Sequence, residues 1–277
     1  MKALLHAIKI PTGIALLTGV ALLFTSCQKE LEGSVFNFGC RVQQWADLDS
    51  SENATETFDY TYDSATGKPL SLVYNDNVGG NSQTVIPVFS KDTVYFNVGS
   101  WAALDNSNRI YRLEERNSVN ASVPDGSYFY TYDASGHLST RIYDDGVTTE
   151  TTTYTFTGDE LTKSDDPLLG IANATTTTYT YSSTVKVKDY NAFIFASAFP
   201  ELRLYIPCFS FGRFTDKAIE KATLKANIPI PIPEVTITFT NYQFDARGNI
   251  IKVQLNETAT GVPQTTRAFL SGSYLCR

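Results

Sequence analysis

One phrase recurs along this chain and limits what it can fold into: two aromatic residues spaced by one, then an aspartate, then a glycine a few positions on. It is clearest at Tyr130-Thr131-Tyr132-Asp133 with Gly136. It returns at Tyr60-Thr61-Tyr62-Asp63 with Gly67, and at Tyr242-Gln243-Phe244-Asp245 with Gly248. Weaker echoes place Tyr130, Tyr154 and Tyr179 24 and 25 residues apart, the spacing of a repeated supersecondary unit. Side chains alternate along a strand, so aromatics two apart share a face. An Asp opening a type I turn accepts from the backbone two residues on, and Gly closes the turn where φ is positive. The phrase therefore reads as strand, turn, strand.

Repeated, it predicts a mainly all-β fold: an antiparallel meander of hairpins forming a large curled sheet or half-barrel. Leu70, Leu72 and Tyr74 are expected to share one face of a return strand, and Asp165-Asp166-Pro167 to form a loop. The pattern breaks after Lys188. Asp189 would cap a short helix over 190–199 that Pro200 ends, and 202–211 would be a buried strand. Thr215-Asp216 would start a second helix through Leu224, so one or two short helices fall between about 189 and 225. Pro229, Pro231 and Pro233 then hold the chain extended.

The first 26 residues read as a signal peptide, with Lys2 and Lys9 before an apolar run, Ile14 to Phe24, that is shorter than a membrane span. The ending Phe24-Thr25-Ser26-Cys27 resembles a bacterial lipoprotein signal, which implies lipidation of Cys27 and a membrane anchor that does not span the bilayer. Residues 27–39 would be the lipidated tether and 40–277 a single β-rich domain. Within the tether, Gln28-Lys29-Glu30-Leu31-Glu32 resembles the export tag of surface lipoproteins in the Bacteroidota. That implies an outer-membrane lipoprotein on the cell surface, the periplasmic face being the alternative.

Two further resemblances follow from the motifs. The Tyr-Asp hairpins are similar to the YD repeats of RHS-type proteins. The lipoprotein signal, acidic tether, hairpins and the segment Phe211 to Lys217 together resemble surface lipoproteins of the Bacteroidota, a likeness that implies no particular activity. Asp63-Ser64-Ala65 and Asp92-Thr93-Val94 resemble the short O-glycosylation sequon of that group, making Ser64 and Thr93 candidate acceptors.

The formal net charge of −7 becomes −9 without Lys2 and Lys9, an acidic balance that argues against nucleic acid as a partner. Three cysteines follow the anchor: Cys40, Cys208 and Cys276. An odd number leaves at least one thiol over; Cys40 and Cys276 bracket the domain and are the favoured pair, with buried free thiols as the competing reading.

Catalytic constellations are sparse. His137 is the one histidine of the mature domain and is expected to be an exposed turn residue. The carboxylates fall where turns need them, and neither the histidine nor the scattered cysteines have metal-ligand spacing. No cofactor, metal or catalytic residue is expected. The leading expectation is a non-enzymatic surface lipoprotein that binds a glycan or an envelope protein. Trp45 and Trp101 are candidates for stacking on sugar rings, with core packing as their competing use. The alternatives are a carrier or sensor of an apolar ligand inside the curled sheet, and a glycoside hydrolase-like enzyme using dispersed carboxylates.

Overall fold

The structure is a computed structural model that describes residues 40–116, 124–168, 171–187, 205–228, 232–261 and 266–276. Among the described residues, seventeen strands form one antiparallel sheet. They are β1 (Cys40–Leu48), β2 (Ala54–Tyr62), β3 (Pro69–Asp76), β4 (Asn81–Val85), β5 (Pro87–Phe89), β6 (Thr93–Phe96), β7 (Trp101–Leu104), β8 (Ile110–Arg116) and β9 (Pro124–Tyr132). The order continues through β10 (Leu138–Asp144), β11 (Thr149–Thr157), β12 (Glu160–Leu168), β13 (Ile171–Lys186), β14 (Lys217–Ala226), β15 (Val235–Phe244), β16 (Ile250–Ala259) and β17 (Thr266–Cys276). Chain order is spatial order. The two ends also meet, because β1 pairs with β2 on one side and β17 on the other. Between β4 and β5 the strand kinks at Ile86, so β3 takes its first half and β6 its second.

The meander is thus as expected, but the sheet goes beyond a half-barrel to a nearly closed barrel. Closure removes the free edges that a curled sheet would expose. The helix expected from Thr215 to Leu224 is instead β14, hydrogen-bonded between β13 and β15. The helix expected over 190–199 lies outside the described residues. Of the strand expected over 202–211, the described part is a single 3-10 turn at Ile206–Cys208 followed by isolated bridges. Asp165-Asp166-Pro167 lies inside β12, where the register steps past Pro167; a strand proline belongs at such an irregularity.

The alternation of each strand points one row of large side chains inward. Trp45, Phe58, Tyr60, Leu72, Val94, Leu113, Tyr130, Leu138, Tyr154, Phe239, Val253 and Leu270 join one hydrophobic cluster. Trp45 is 0 % exposed, and its ring lies against Gly272, the residue directly opposite it on β17. A Cβ at Gly272 would stand 2.9 Å from that ring, so only glycine fits.

The described part of the β13–β14 connection, from Tyr205 on, packs inside the barrel. Tyr205, Cys208, Phe209 and Phe211 are all buried within the same cluster. Tyr205 packs on Phe96 with ring centroids 4.5 Å apart, and Phe209 meets Phe211 edge-on. The segment leaves across the rim through bridges Arg109↔Ser210 and His137↔Gly212. It is a plug.

Candidate functional site

The hairpin turns hold Asp133, His137 and Asp245 in a repeated arrangement. Four turns share one geometry: Asp49 to Asn53, Asp105 to Arg109, Asp133 to His137, and Asp245 to Asn249. In each, one carboxylate oxygen accepts backbone N–H bonds from the third and fifth residues at 2.8–3.0 Å. In each, the fourth residue has positive φ: Glu52 66°, Asn108 56°, Gly136 88° and Gly248 84°. The side chain of the fifth residue lies within hydrogen-bond reach of the second carboxylate oxygen, from 2.7 Å in Asn249 to 3.4 Å in Asn53. At Asp49, Asp133 and Asp245 these bonds favour the ionised carboxylate. The His137 backbone N–H, and then its side chain, hold the Asp133 carboxyl below its usual value, and the Asn249 side chain does the same for Asp245.

His137 is therefore not the exposed residue the sequence suggested. It is 5 % exposed, stacked on Phe156 with centroids 4.6 Å apart, and clamped between Asp133 at 3.2 Å and Asp159 at 2.8 Å. Its position in the repeat is the donor position filled elsewhere by Arg109 and Asn249.

The tyrosines near these turns have a second role beyond aromatic pairing. The hydroxyls of Tyr62, Tyr132, Tyr181 and Tyr242 donate to the carbonyls of Val42, Ile110, Leu161 and Ile219 on the preceding strand. Burial pushes all four phenols up, so they remain donors. Past the turn, five return strands carry one extra residue: Leu70, Tyr111, Ser139, Thr162 and Ile251 have no register partner. This bulge turns Leu70 out to solvent while Leu72 stays buried, so the two do not share a face.

The candidate residues from the sequence are scattered. Trp45 sits in the core and offers no face to a ligand. Trp101 is half-buried on the outer wall, directly opposite Tyr95, with the Arg112 guanidinium 5.2 Å from its ring centre. Ser64 is exposed in the Asp63 turn; Thr93 is half-buried and donates to Asp92. Cys27 lies outside the described residues. Cys40 and Cys276 are directly opposite each other in the β1–β17 ladder, while Cys208 is a buried free thiol. Among the described residues, no three His, Cys, Asp or Glu side chains gather as a metal site.

A concavity that no sequence motif marked lies on the outer face of β15–β17. Its volume is 390 Å³, and Glu52, Asn241, Gln243, Lys252, Gln254 and Arg267 line it over Phe269. It exists because β15 bulges. Thr240 pairs with Gln254 and Gln243 with Lys252, so two residues of β15 face one of β16. Asn241 takes φ 53° there, and Tyr242 swings inward to donate to Ile219. On the outside, Asn241 Nδ2 donates to Gln254 Oε1 at 2.9 Å, and an Arg267 N–H reaches the same oxygen at 3.1 Å. Lys252 is paired with Glu52 at 2.5 Å. Lys252 and Arg267 also stand 4.7 and 4.9 Å from the ring centre of Phe269, which covers that ring from solvent. The floor is aromatic and the walls are amides and charges.

No family model matches the chain, and no curated protein matches it in sequence. Its fold is similar to a porin-like protein from Bacteroides uniformis: TM-score 0.61 at 14 % identity, over 84 % of this chain and 96 % of that one. A porin-like protein from Bacteroides vulgatus covers 84 % of this chain and 98 % of its own at 12 % identity, but with a TM-score of 0.35 it supports no argument. At such identities the barrel alone is shared. A membrane-spanning barrel is polar within, whereas aromatic and aliphatic residues line the inside here. The outer face is mixed: exposed Thr151, Thr155, Glu220, Lys221 and Lys225 stand on the same wall as exposed Val88, Tyr95, Tyr111 and Ile171.

Proposed function

We propose that this chain is a non-enzymatic, lipid-anchored barrel of the outer membrane that binds a glycan at the β15–β17 concavity. The observation that carries the reading is that concavity: converging amides and charges over an aromatic floor, beside a β16–β17 ladder that runs unbroken from Lys252 to Glu257. Hydroxyl-rich ligands are recognised by such planar amides and charged groups, which donate and accept side by side. The apolar interior, unlike the polar lumen of a membrane-spanning barrel, supports attachment through Cys27 rather than insertion of the strands. The packing of Tyr205, Phe209 and Phe211 inside the barrel favours a solid scaffold over a carrier of apolar ligands.

Two experiments test this. A glycan array probed with the purified chain is expected to show binding that falls at least ten-fold in Gln254→Ala and in Arg267→Ala. Binding that both variants leave intact would remove the site from this concavity. For the anchor, alkyne-palmitate labelling in cells is expected on the wild type and not on Cys27→Ala; an unlabelled wild type overturns that half of the proposal. Protease shaving of intact cells distinguishes the surface from the periplasmic face, and the intact mass reports any glycan on Ser64 or Thr93.

A further inference from the structure

The ring of strands closes where the first meets the last, and that ladder ends with Cys40 directly opposite Cys276. Directly opposed residues of an antiparallel pair have Cα atoms about 4.5–5.5 Å apart. A disulfide spans Cα separations of about 4.4–6.8 Å. The backbone thus brings the two cysteines to bridging distance with no movement of the sheet. The third cysteine of the domain is removed from competition by position. Cys208 is fully buried in the plug, and burial pushes its thiol up, so the thiolate needed for exchange is suppressed. The odd number of cysteines is resolved by geometry: two on the seam and one in the core.

We propose that Cys40 and Cys276 form a disulfide that fastens the seam of the barrel. The chemistry is thiol–disulfide exchange with an oxidised partner such as glutathione disulfide. One cysteine thiolate attacks the partner's disulfide and releases one of its thiols. The second cysteine then attacks the mixed disulfide and releases the other. Two protein thiols lose two electrons and two protons, and one partner disulfide becomes two thiols.

The location gives the bond a mechanical role, which rests on the lipid-anchor reading above. A pull through a lipid on Cys27 reaches the strands of the barrel at Cys40, the first residue of β1. Unfastened, β1 would peel from its end, one ladder bond at a time. Fastened, the pull is shared with β17, whose partner β16 must yield as well.

The test uses the full chain, folded, oxidised with glutathione disulfide, then alkylated in denaturant and digested with trypsin. The expected product is the peptide 30–41, which carries Cys40, joined to 268–277, which carries Cys276. It should be two hydrogens lighter than the sum of its parts and vanish on reduction. The peptide 204–213 should carry an alkylated Cys208. Separate alkylation of Cys40 and Cys276, or any link through Cys208, overturns the proposal. As a second measurement, a reductant should lower the Tm of the wild type by roughly 5–10 °C and leave Cys276→Ser unchanged. Equal Tm shifts in both proteins would also overturn it. These readouts do not depend on a lipid on Cys27, so failure of the anchor and failure of the bridge are distinguishable.

Discussion

Two stretches of the same wall face solvent differently. From β10 to β13 the outer row is a field of threonines, with Thr149, Thr151, Thr155, Thr157, Thr178 and Thr180 exposed. Its side chains satisfy one another in short bonds, such as Thr176 to Asp165 at 2.6 Å, and the β13–β14 ladder runs unbroken from Thr175 to Thr180. From β15 to β17 the ladder breaks at Asn241 and a concavity opens. The sequences of both stretches are strand-like, and both carry bulges beside their turns, at Ser139 and Thr162 in the first and at Ile251 in the second; the further bulge at Asn241 is the one beneath the concavity. A regular sheet presents a flat face, and one inserted residue is enough to give it depth and re-aimed side chains.

The largest expected effect lies beneath the second stretch. Trp45→Ala should cost about 3–5 kcal/mol in urea unfolding, since it empties the space between β1, β2 and Gly272. A cost under 1 kcal/mol would mean that the seam is not packed as described. Tyr242→Phe should cost about 1–2 kcal/mol by orphaning the Ile219 carbonyl. It should also weaken glycan binding by relaxing the bulge, whereas Tyr62→Phe should cost stability alone.

The acid response comes next. Asp133 and Asp245 have folded pKa values below the ordinary 3.8, so their contribution is complete above that value and lost as pH falls through the folded one. Tm should stay level from pH 7 to about pH 5 and fall below about pH 4, with a shallower fall in Asp133→Asn. A decline already complete at pH 5 would contradict this. The smallest effect belongs to the threonine field: Thr151→Ala should change stability by less than about 0.5 kcal/mol and leave binding untouched. If it weakens binding as much as Gln254→Ala does, the site lies on the wrong wall.

The hairpins were legible because local chemistry writes them: Asp at the first turn position, a residue tolerant of positive φ at the fourth. What the sequence hid depended on partners. Lys217-Ala218-Ile219-Glu220-Lys221-Ala222 is rich in helix formers, and Ala218, Ile219 and Ala222 are spaced for a helix face. Between two strands with unpaired edges, ladder bonds outweigh that preference. Closure was hidden because it depends on register summed over every strand. His137 was misplaced because its fifth position in the turn is recognisable only beside Arg109 and Asn249. The concavity left no motif, since Asn241 and Gln254 are ordinary strand polar residues until the bulge brings them together.

The pairing of β1 with β17 also sets an order of assembly. Strand β1 is made before the others and finds β2 at once, yet its other partner, β17, emerges only after all the strands between them. The plug must be inside before those two meet. Contacts of such sequence separation carry the highest loop-closure cost and slow folding. Until then β1 presents an open edge, so the interval between synthesis and closure is when the chain is most exposed to mispairing.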